Sequence, residues 1–174
     1  MNRFIKYFLF TFFLIFSTSI LAEEKIAILD LKYVLNESKA GKKAQDSLKK
    51  QISDQNTKLE NQAKKLKKDE QDLIAKKKSI TPEEYRKSLD ELRKKNANYQ
   101  KEKRRVNNEL LRKKNQARSQ LLKALNPILQ KYMTDNNIKI IFDKQYVVMA
   151  SKETDMTNEI LKLLDNQLKS IDLK

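Results

Sequence analysis

The 174-residue chain carries 38 lysine and arginine residues against 23 aspartate and glutamate residues, for a net charge of +15 at pH 7. It contains one glycine (Gly41), two prolines, no cysteine and no histidine. Such scarce turn-forming residues argue against a protein of many short strands. The composition also counts against a transition-metal site, a catalytic nucleophile–histidine pair and a glycine-rich nucleotide loop. We therefore predict no catalytic, cofactor or metal site and no enzyme activity.

The first 22 residues have the organisation of a secretory signal peptide. Arg3 and Lys6 precede the apolar run FLFTFFLIFSTSIL, and small residues lead to Ala22 before the charged EEK. The apolar run is short for a membrane span, which needs about 20 residues. We predict cleavage after Ala22 and export of the mature chain; an uncleaved N-terminal anchor is the alternative.

The charge of the mature chain is concentrated in its middle. The apolar run KIAILDL at residues 25–31 predicts a β-strand. Beyond it, residues 39–118 carry 26 basic against 12 acidic side chains. Both ends of the mature chain are close to neutral. This distribution predicts a basic arm at residues 42–118 and an oligomerisation body made of residues 23–41 and 119–174.

The arm has the spacing of a coiled coil. Its first half places apolar residues at steps of seven, namely Ile52, Leu59, Leu66, Leu73 and Ile80. Its second half alternates steps of four and three. That second line is Tyr85, Leu89, Leu92, Asn96, Tyr99, Lys103, Val106, Leu110, Lys113, Ala117 and Leu121. The two lines predict helices that bury their seams against each other, and the polar seam positions predict an arm that is thinly packed and open to water.

The stretch Thr81-Pro82-Glu83-Glu84 has the pattern of a helix start. The Thr81 hydroxyl can accept from the Glu84 backbone N–H while the Glu84 carboxylate reaches back to the Thr81 N–H, which is a capping box. Pro82 falls at the first helical position, where the N–H that it lacks has no intrahelical partner to lose. A new helix is therefore predicted to begin at this point.

A helix stop is predicted directly before that start. Because the residue before a proline avoids the α-helical region, the incoming helix is expected to end near Lys78. We predict a helical hairpin with legs at residues 42–78 and 82–133, the second kinked at Pro127. One continuous coiled coil with a proline kink is the alternative.

The C-terminal part mixes strand and helix signals. The runs NIKIIFD (137–143) and YVVMAS (146–151) predict two strands joined by a tight reversal, and residues 154–168 predict a short amphipathic helix. Three short strands and one helix make a poor core, and small sheets with open edges pair or close. The predicted fold class is α+β, mostly α, with a long antiparallel helical hairpin on a small β body shared between the subunits of an oligomer.

Three parts of the mature chain follow one another in an order that resembles the Skp/OmpH family of periplasmic chaperones. They are the opening block KIAILDLKYVLNES, the basic hairpin and the closing block NIKIIFDKQYVVMASKETDMTNEILKLL. The resemblance implies a homotrimer whose strands form a central β-barrel with three arms around a cavity. It also implies an ATP-independent periplasmic holdase that binds unfolded outer-membrane proteins and prevents their aggregation before membrane insertion.

The resemblance further implies arm basic residues as a binding surface, since some family members are proposed to bind lipopolysaccharide through them. An anionic membrane surface is a related partner. From charge alone, we predict client or lipopolysaccharide binding at basic residues near the arm tip. These are Lys76, Lys77, Lys78, Arg86, Lys87, Arg93, Lys94 and Lys95.

Two other functions fit parts of the pattern. An envelope structural coiled-coil protein would explain the arm and an uncleaved N-terminus. A basic nucleic-acid-binding protein would explain the charge, because lysine-rich surfaces bind phosphate. Export argues against nucleic acid as a physiological partner.

Overall fold

The computed structural model describes residues 25–173. Within them the elements follow in the order β1 (Lys25–Leu29), α1 (Leu31–Glu37), α2 (Lys39–Lys76), α3 (Pro82–Asp135), β2 (Ile138–Asp143) and α4 (Thr157–Gln167). Two 3-10 turns, at Lys144–Tyr146 and Lys152–Thr154, lie between β2 and α4. The predicted signal peptide and its end at Ala22 fall outside the described residues.

The two long helices α2 and α3 form a hairpin and contact each other. The 38 residues of α2 correspond to a leg of about 57 Å, at 1.5 Å per residue. The 54 residues of α3 continue past Pro127 to Asp135. The predicted hairpin is thus confirmed, and the continuous coiled coil is wrong, because the chain leaves helical conformation between Lys76 and Pro82.

The turn at the arm tip is built as the sequence predicts. Thr81 Oγ1 accepts from the Glu84 backbone N–H at 3.3 Å, and the Glu84 carboxylate accepts from the Thr81 backbone N–H at 3.0 Å. Pro82 occupies the start of α3. The incoming helix ends slightly before Lys78, since the Ser79 N–H and hydroxyl both bind the Lys76 carbonyl and close a tight turn.

We expect Thr81→Ala to weaken the start of α3 by about 1 kcal/mol, the usual value of an N-cap, and so to speed local amide exchange about fivefold. Hydrogen exchange of the amides at residues 82–86 measures this directly. Thr57→Ala is the matched control, because the Thr57 hydroxyl only donates to the Ser53 carbonyl within α2. If Thr81→Ala and Thr57→Ala accelerate amide exchange at residues 82–86 equally, the capping box does not hold the turn.

The interhelical seam only partly follows the predicted heptads. Leu59, Leu73 and Val106 are buried, but Ile52 is 42% exposed. In α3, Asn96 and Lys103 are also exposed, so these three seam assignments are wrong. A straight α-helix drifts by about 20° per heptad against a strict seven-residue repeat, so the contact line moves to neighbouring residues. In α3 those neighbours are Lys95 and Glu102, and in α2 the neighbour is Gln51, whose side-chain oxygen accepts from Lys113 Nζ at 2.8 Å.

The hydrophobic core lies at the base of the arm, where β1, α1 and α4 pack around the start of α2 and the end of α3. Its fully buried side chains include Leu125, Ile160 and Leu164. The complete buried cluster is Ala27, Leu29, Val34, Leu35, Ala40, Leu121, Leu125, Ile128, Met156, Ile160 and Leu164. Both ends of the chain therefore contribute to one core, and the arm is the connection between them.

The sheet is smaller than predicted. β1 and β2 pair in parallel, with the whole arm as their crossover. The predicted strand at residues 146–151 is wrong for the single chain: it begins in a 3-10 turn and continues without regular structure. A strand needs a neighbour for its backbone groups, and no described segment of the same chain pairs with this one.

A short helix that the sequence analysis missed shortens the first strand. The predicted strand at 25–31 ends at Leu29, because the Asp30 carboxylate accepts from the Tyr33 N–H at 2.8 Å and caps α1. The signal was present in the sequence: a capping aspartate precedes Leu31, Val34 and Leu35, which have helical spacing.

The sharp corner between α1 and α2 depends on Ser38 and Gly41. The buried Ser38 hydroxyl accepts from the Gly41 N–H at 3.1 Å and donates to the Leu35 carbonyl at 3.3 Å. Gly41 is itself buried, and a Cβ at this position would overlap the Leu35 carbonyl oxygen. The backbone of α2 therefore approaches the end of α1 more closely than a side chain permits.

A hydrogen-bonded chain joins the end of the sheet to α4. The Asp30 N–H donates to Thr157 Oγ1, the Thr157 N–H donates to Asp155 Oδ1, and Lys144 Nζ donates to Asp155 Oδ2 at 2.7 Å. Burial acts to raise the pKa of Asp155, but the bonds from Lys144 and Thr157 outweigh it and hold this pKa below its ordinary value.

Because the pKa of Asp155 is lower in the folded than in the unfolded chain, its carboxylate stabilises the fold fully above the ordinary carboxyl range, and this contribution is lost as the pH falls from that range through the lowered pKa of the folded state. We expect Asp155→Asn to destabilise the protein near pH 7 and to destabilise it progressively less as the pH falls to about 3. Urea unfolding at both pH values measures the difference. Glu153→Gln, at an exposed neighbouring position, is the control and should show no such convergence.

Candidate functional site

All eight predicted site residues lie toward the distal end of the hairpin. Lys76 is the last residue of α2, and Lys77 caps its C-terminus. Lys78 follows in the turn, and the other five lie in the first half of α3. The stretch from Lys76 to Lys95 carries eight basic against four acidic side chains. We call this stretch the distal arm.

The basic side chains of the distal arm differ in how far they are engaged. Arg93 pairs with Asp90 one turn away in α3, at 3.2 Å. Lys95 pairs with Asp69 across the hairpin, at 2.7 Å. Lys77 Nζ lies 5.8 Å from the centroid of the Tyr85 ring, within cation–π distance. The remaining five are exposed and form no ion pair with a described residue: Lys76, Lys78, Arg86, Lys87 and Lys94.

Two open gaps separate the legs of the arm on either side of the Asp69–Lys95 pair. The gap nearer the tip has a volume of about 570 Å³ and is lined by the apolar side chains of Leu73, Ile80 and Leu92 together with charged residues. The other has a volume of about 450 Å³ and includes Leu66 and Tyr99. Hydrophobic side chains thus lie next to lysines at the surface, an arrangement that suits a flexible polymer with both apolar and acidic groups.

Local hydrogen bonds shift the pKa values of several arm side chains toward their charged forms. The bond from Lys95 lowers the pKa of Asp69, and the same bond raises the pKa of Lys95. The Thr81 backbone N–H lowers the pKa of Glu84 at the tip. The bond from Arg105 likewise lowers the pKa of Glu102. These groups therefore stay ionised across the neutral pH range.

The body exposes an apolar surface that the sequence analysis did not single out as a site. Tyr146 is 80% exposed, Met149 is 89% exposed, and Val148 between them is fully exposed. Ile26 and Ile140, from the two paired strands, are also exposed. The signal was the YVVMAS run itself, because a strand-forming segment without a partner in its own chain has an open edge and an apolar face.

Two negative findings concern residues 25–173. No group of three or more acidic, histidine or cysteine side chains in this range could hold a metal ion. Across the same residues, no helix has both the length and the apolar character that crossing a membrane requires.

The family model described as Outer membrane protein (OmpH-like) matches residues 25–164. The chain belongs to the OmpH-like family. The match confirms the resemblance to the Skp/OmpH family and includes the body strands, the whole arm and most of α4.

The fold of this OmpH-like protein is similar to the crystal structure of an OmpH-like protein from Caulobacter crescentus CB15, for which an outer membrane chaperone role has been put forward. The TM-score is 0.79 at 21% sequence identity, and the match covers 86% of this chain and 88% of that chain. At this identity the likeness concerns the fold. Comparison with curated proteins gave no significant match.

Proposed function

We propose that this OmpH-like protein is an ATP-independent holdase chaperone of the periplasm. It binds unfolded outer-membrane proteins between its basic arms and prevents their aggregation before membrane insertion. The observation that carries the proposal is the arm itself, where exposed lysines surround an apolar seam that is open to water at two gaps. Such a surface favours binding over chemistry, and we propose no enzyme activity.

The charge of the arm supports capture at long range. With 26 basic against 12 acidic residues between positions 39 and 118, it attracts a net acidic polypeptide, and this attraction falls as salt screens it. Lysine stems and seam residues then contact apolar segments weakly at many points. Several arms acting on one client make those contacts add up.

The proposed binding keeps clients soluble and releasable. A barrel protein in transit has strands with unpaired edges, and two such chains can pair with each other. A client enclosed by arms cannot reach its neighbours. Because each contact is weak, the client leaves when it folds or inserts elsewhere, and no nucleotide is needed for release.

We propose that three copies assemble through a shared β body, as the family resemblance implies. The exposed surface around Tyr146–Met149 supports assembly, because a two-stranded sheet with an adjoining unpaired apolar segment is marginal on its own. The division into a body and an arm at residues 42–118 stays a prediction. Size-exclusion chromatography with light scattering on residues 23–174 should give the mass of a trimer; a stable monomer would contradict the shared body.

Suppression of aggregation tests the function directly. An unfolded outer-membrane barrel protein diluted from urea is followed by light scattering, and one trimer per client should suppress most of the signal. No suppression at that ratio would overturn the holdase, and it is the result expected for a structural spacer or a nucleic-acid-binding protein.

Charge reversal locates the activity on the arm. Lys78→Glu with Lys87→Glu, both exposed in the distal arm, should weaken client binding several-fold and leave the oligomer intact. Lys123→Glu with Lys162→Glu makes the same charge change at exposed positions near the body and should have little effect. Lipopolysaccharide and anionic vesicles, which are further proposed ligands of the same lysines, can be tested for competition in this assay.

A further inference from the structure

The legs of the arm are tied by few polar contacts. Within the described residues, side-chain hydrogen bonds join α2 to α3 at two points: Lys95 Nζ to Asp69 Oδ2 at 2.7 Å, and Lys113 Nζ to Gln51 Oε1 at 2.8 Å. Lys113 is largely buried and lies nearer the body. Asp69–Lys95 is the one ion pair between the legs in the described part of the chain, and it lies farther out.

The position of this pair gives it a special role in the seam. Asp69 and Lys95 line both gaps between the legs, so the pair separates one gap from the other. Apolar side chains lie on each side of it, Leu66 and Tyr99 toward the body and Leu73 and Leu92 toward the tip. Separating the two charged groups would join the gaps into one continuous channel along the distal half of the arm, in which these apolar side chains lie among charged ones.

The pair is also accessible to competitors. The side chain of Lys95 is 55% exposed, and that of Asp69 is 28% exposed. Lys65 and Lys68 lie near Asp69 on the same leg, and Glu91 lies near Lys95. A carboxylate from another chain is chemically equivalent to Asp69, and the neighbouring lysines would attract it to this point.

We propose that the Asp69–Lys95 pair is a latch on the seam of the arm, and that an unfolded segment carrying a carboxylate beside apolar residues opens it. The carboxylate of the segment replaces Asp69 on Lys95, and its apolar residues enter the channel lined by Leu66, Leu73, Leu92 and Tyr99. This inference rests on the proposed holdase function and names the surface and the kind of segment that the arm selects.

The state of the latch can be measured without a client. The chain contains no cysteine, so cysteines placed at the exposed positions Glu70 and Asn96 are the only sites for spin labels. Asp69→Asn in this background should broaden the distance distribution and shift it to longer distances, and 1 M salt, with a Debye length of about 3 Å, should shift the parent in the same direction.

Asp90→Asn is the matched control for the latch, since it removes the same charge from a pair with Arg93 that lies within one helix. It should leave the distance distribution unchanged. If Asp69→Asn also leaves the distribution unchanged, or if both variants shift it equally, the pair is not a latch and the inference is overturned.

Locking the seam tests its role in binding. In the variant Asp69→Cys with Lys95→Cys, a short bifunctional thiol reagent ties the legs together, whereas a monofunctional reagent leaves the same variant open. The open form should suppress client aggregation several-fold more effectively than the locked form. Equal suppression by both forms would overturn the inference and leave the holdase intact; failure of the parent protein to suppress aggregation would overturn both.

Discussion

Gly41→Ala is expected to destabilise the protein by about 3 kcal/mol, the upper end for inserting a group into a packed site. The added Cβ would overlap the Leu35 carbonyl oxygen and press on the Ser38 hydroxyl. The Leu35 carbonyl belongs to the backbone at the corner between α1 and α2 and cannot move aside as a flexible side chain would, and the Ser38 hydroxyl is held there by its two hydrogen bonds. Relief requires α2 to shift away from α1, and that shift disturbs the core at the base of the arm.

Urea unfolding followed by circular dichroism at 222 nm measures this loss. Lys43→Ala is the control, because Lys43 is exposed on the same turn of α2 and should change stability by less than about 0.5 kcal/mol. A Gly41→Ala variant as stable as the control would show that the corner relaxes freely. Gly41 does not have a positive φ, so its role is to allow this close approach of α2 to α1.

Leu125→Ala should cost about 3–4 kcal/mol, because it removes three carbons from a fully buried position and leaves a cavity. Leu125 lies on α3 where the returning leg enters the body, and it belongs to the cluster that α1 and α4 close. Loss of this contact should loosen both ends of the chain together, since the core draws residues from each.

The same substitution elsewhere in α3 gives a matched control. Leu111 is 58% exposed, so Leu111→Ala should change stability by less than about 0.5 kcal/mol. Thermal and urea unfolding of both variants would show the contrast. Comparable destabilisation by the two variants would mean that the core does not lie at the base of the arm.

Local signals in the sequence predicted the arm well. The capping box at Thr81 depends on residues three positions apart, and α3 begins where it requires. The hairpin follows from that one stop and start. The signal for the missed helix α1 was also local, since Asp30 caps this helix directly after the first strand. The predicted strand at 25–31 is two residues too long for that reason.

Features that depend on two distant segments were harder to predict. The exposure of Asn96 and Lys103 arises from the drift of straight helices against a strict heptad, which becomes visible only once the legs are aligned. The Asp69–Lys95 pair depends on the same alignment. The predicted site residues lie together near the tip, but charge alone does not distinguish Lys95, which is paired across the hairpin, from Lys94, which forms no ion pair with a described residue.

The segment at residues 146–151 shows a different limit. Its composition favours a strand, yet β1 and β2 already pair with each other, and no described segment of the chain offers it a partner. The strand prediction is wrong for the single chain, because nothing in the described chain satisfies the backbone hydrogen bonds that a strand at this position needs. The structure leaves Val148 and Met149 exposed for that reason.

Site-directed photo-cross-linking is the most direct test of whether the arm holds the client. A photoreactive amino acid at Asn98, beside the gap between the legs, is compared with one at the exposed Lys162 on α4 of the body. After mixing with an unfolded outer-membrane barrel protein, Asn98 should give a strong cross-link to the client and Lys162 a weak one. Equal labelling from both positions, or labelling from Lys162 alone, would contradict binding by the arm.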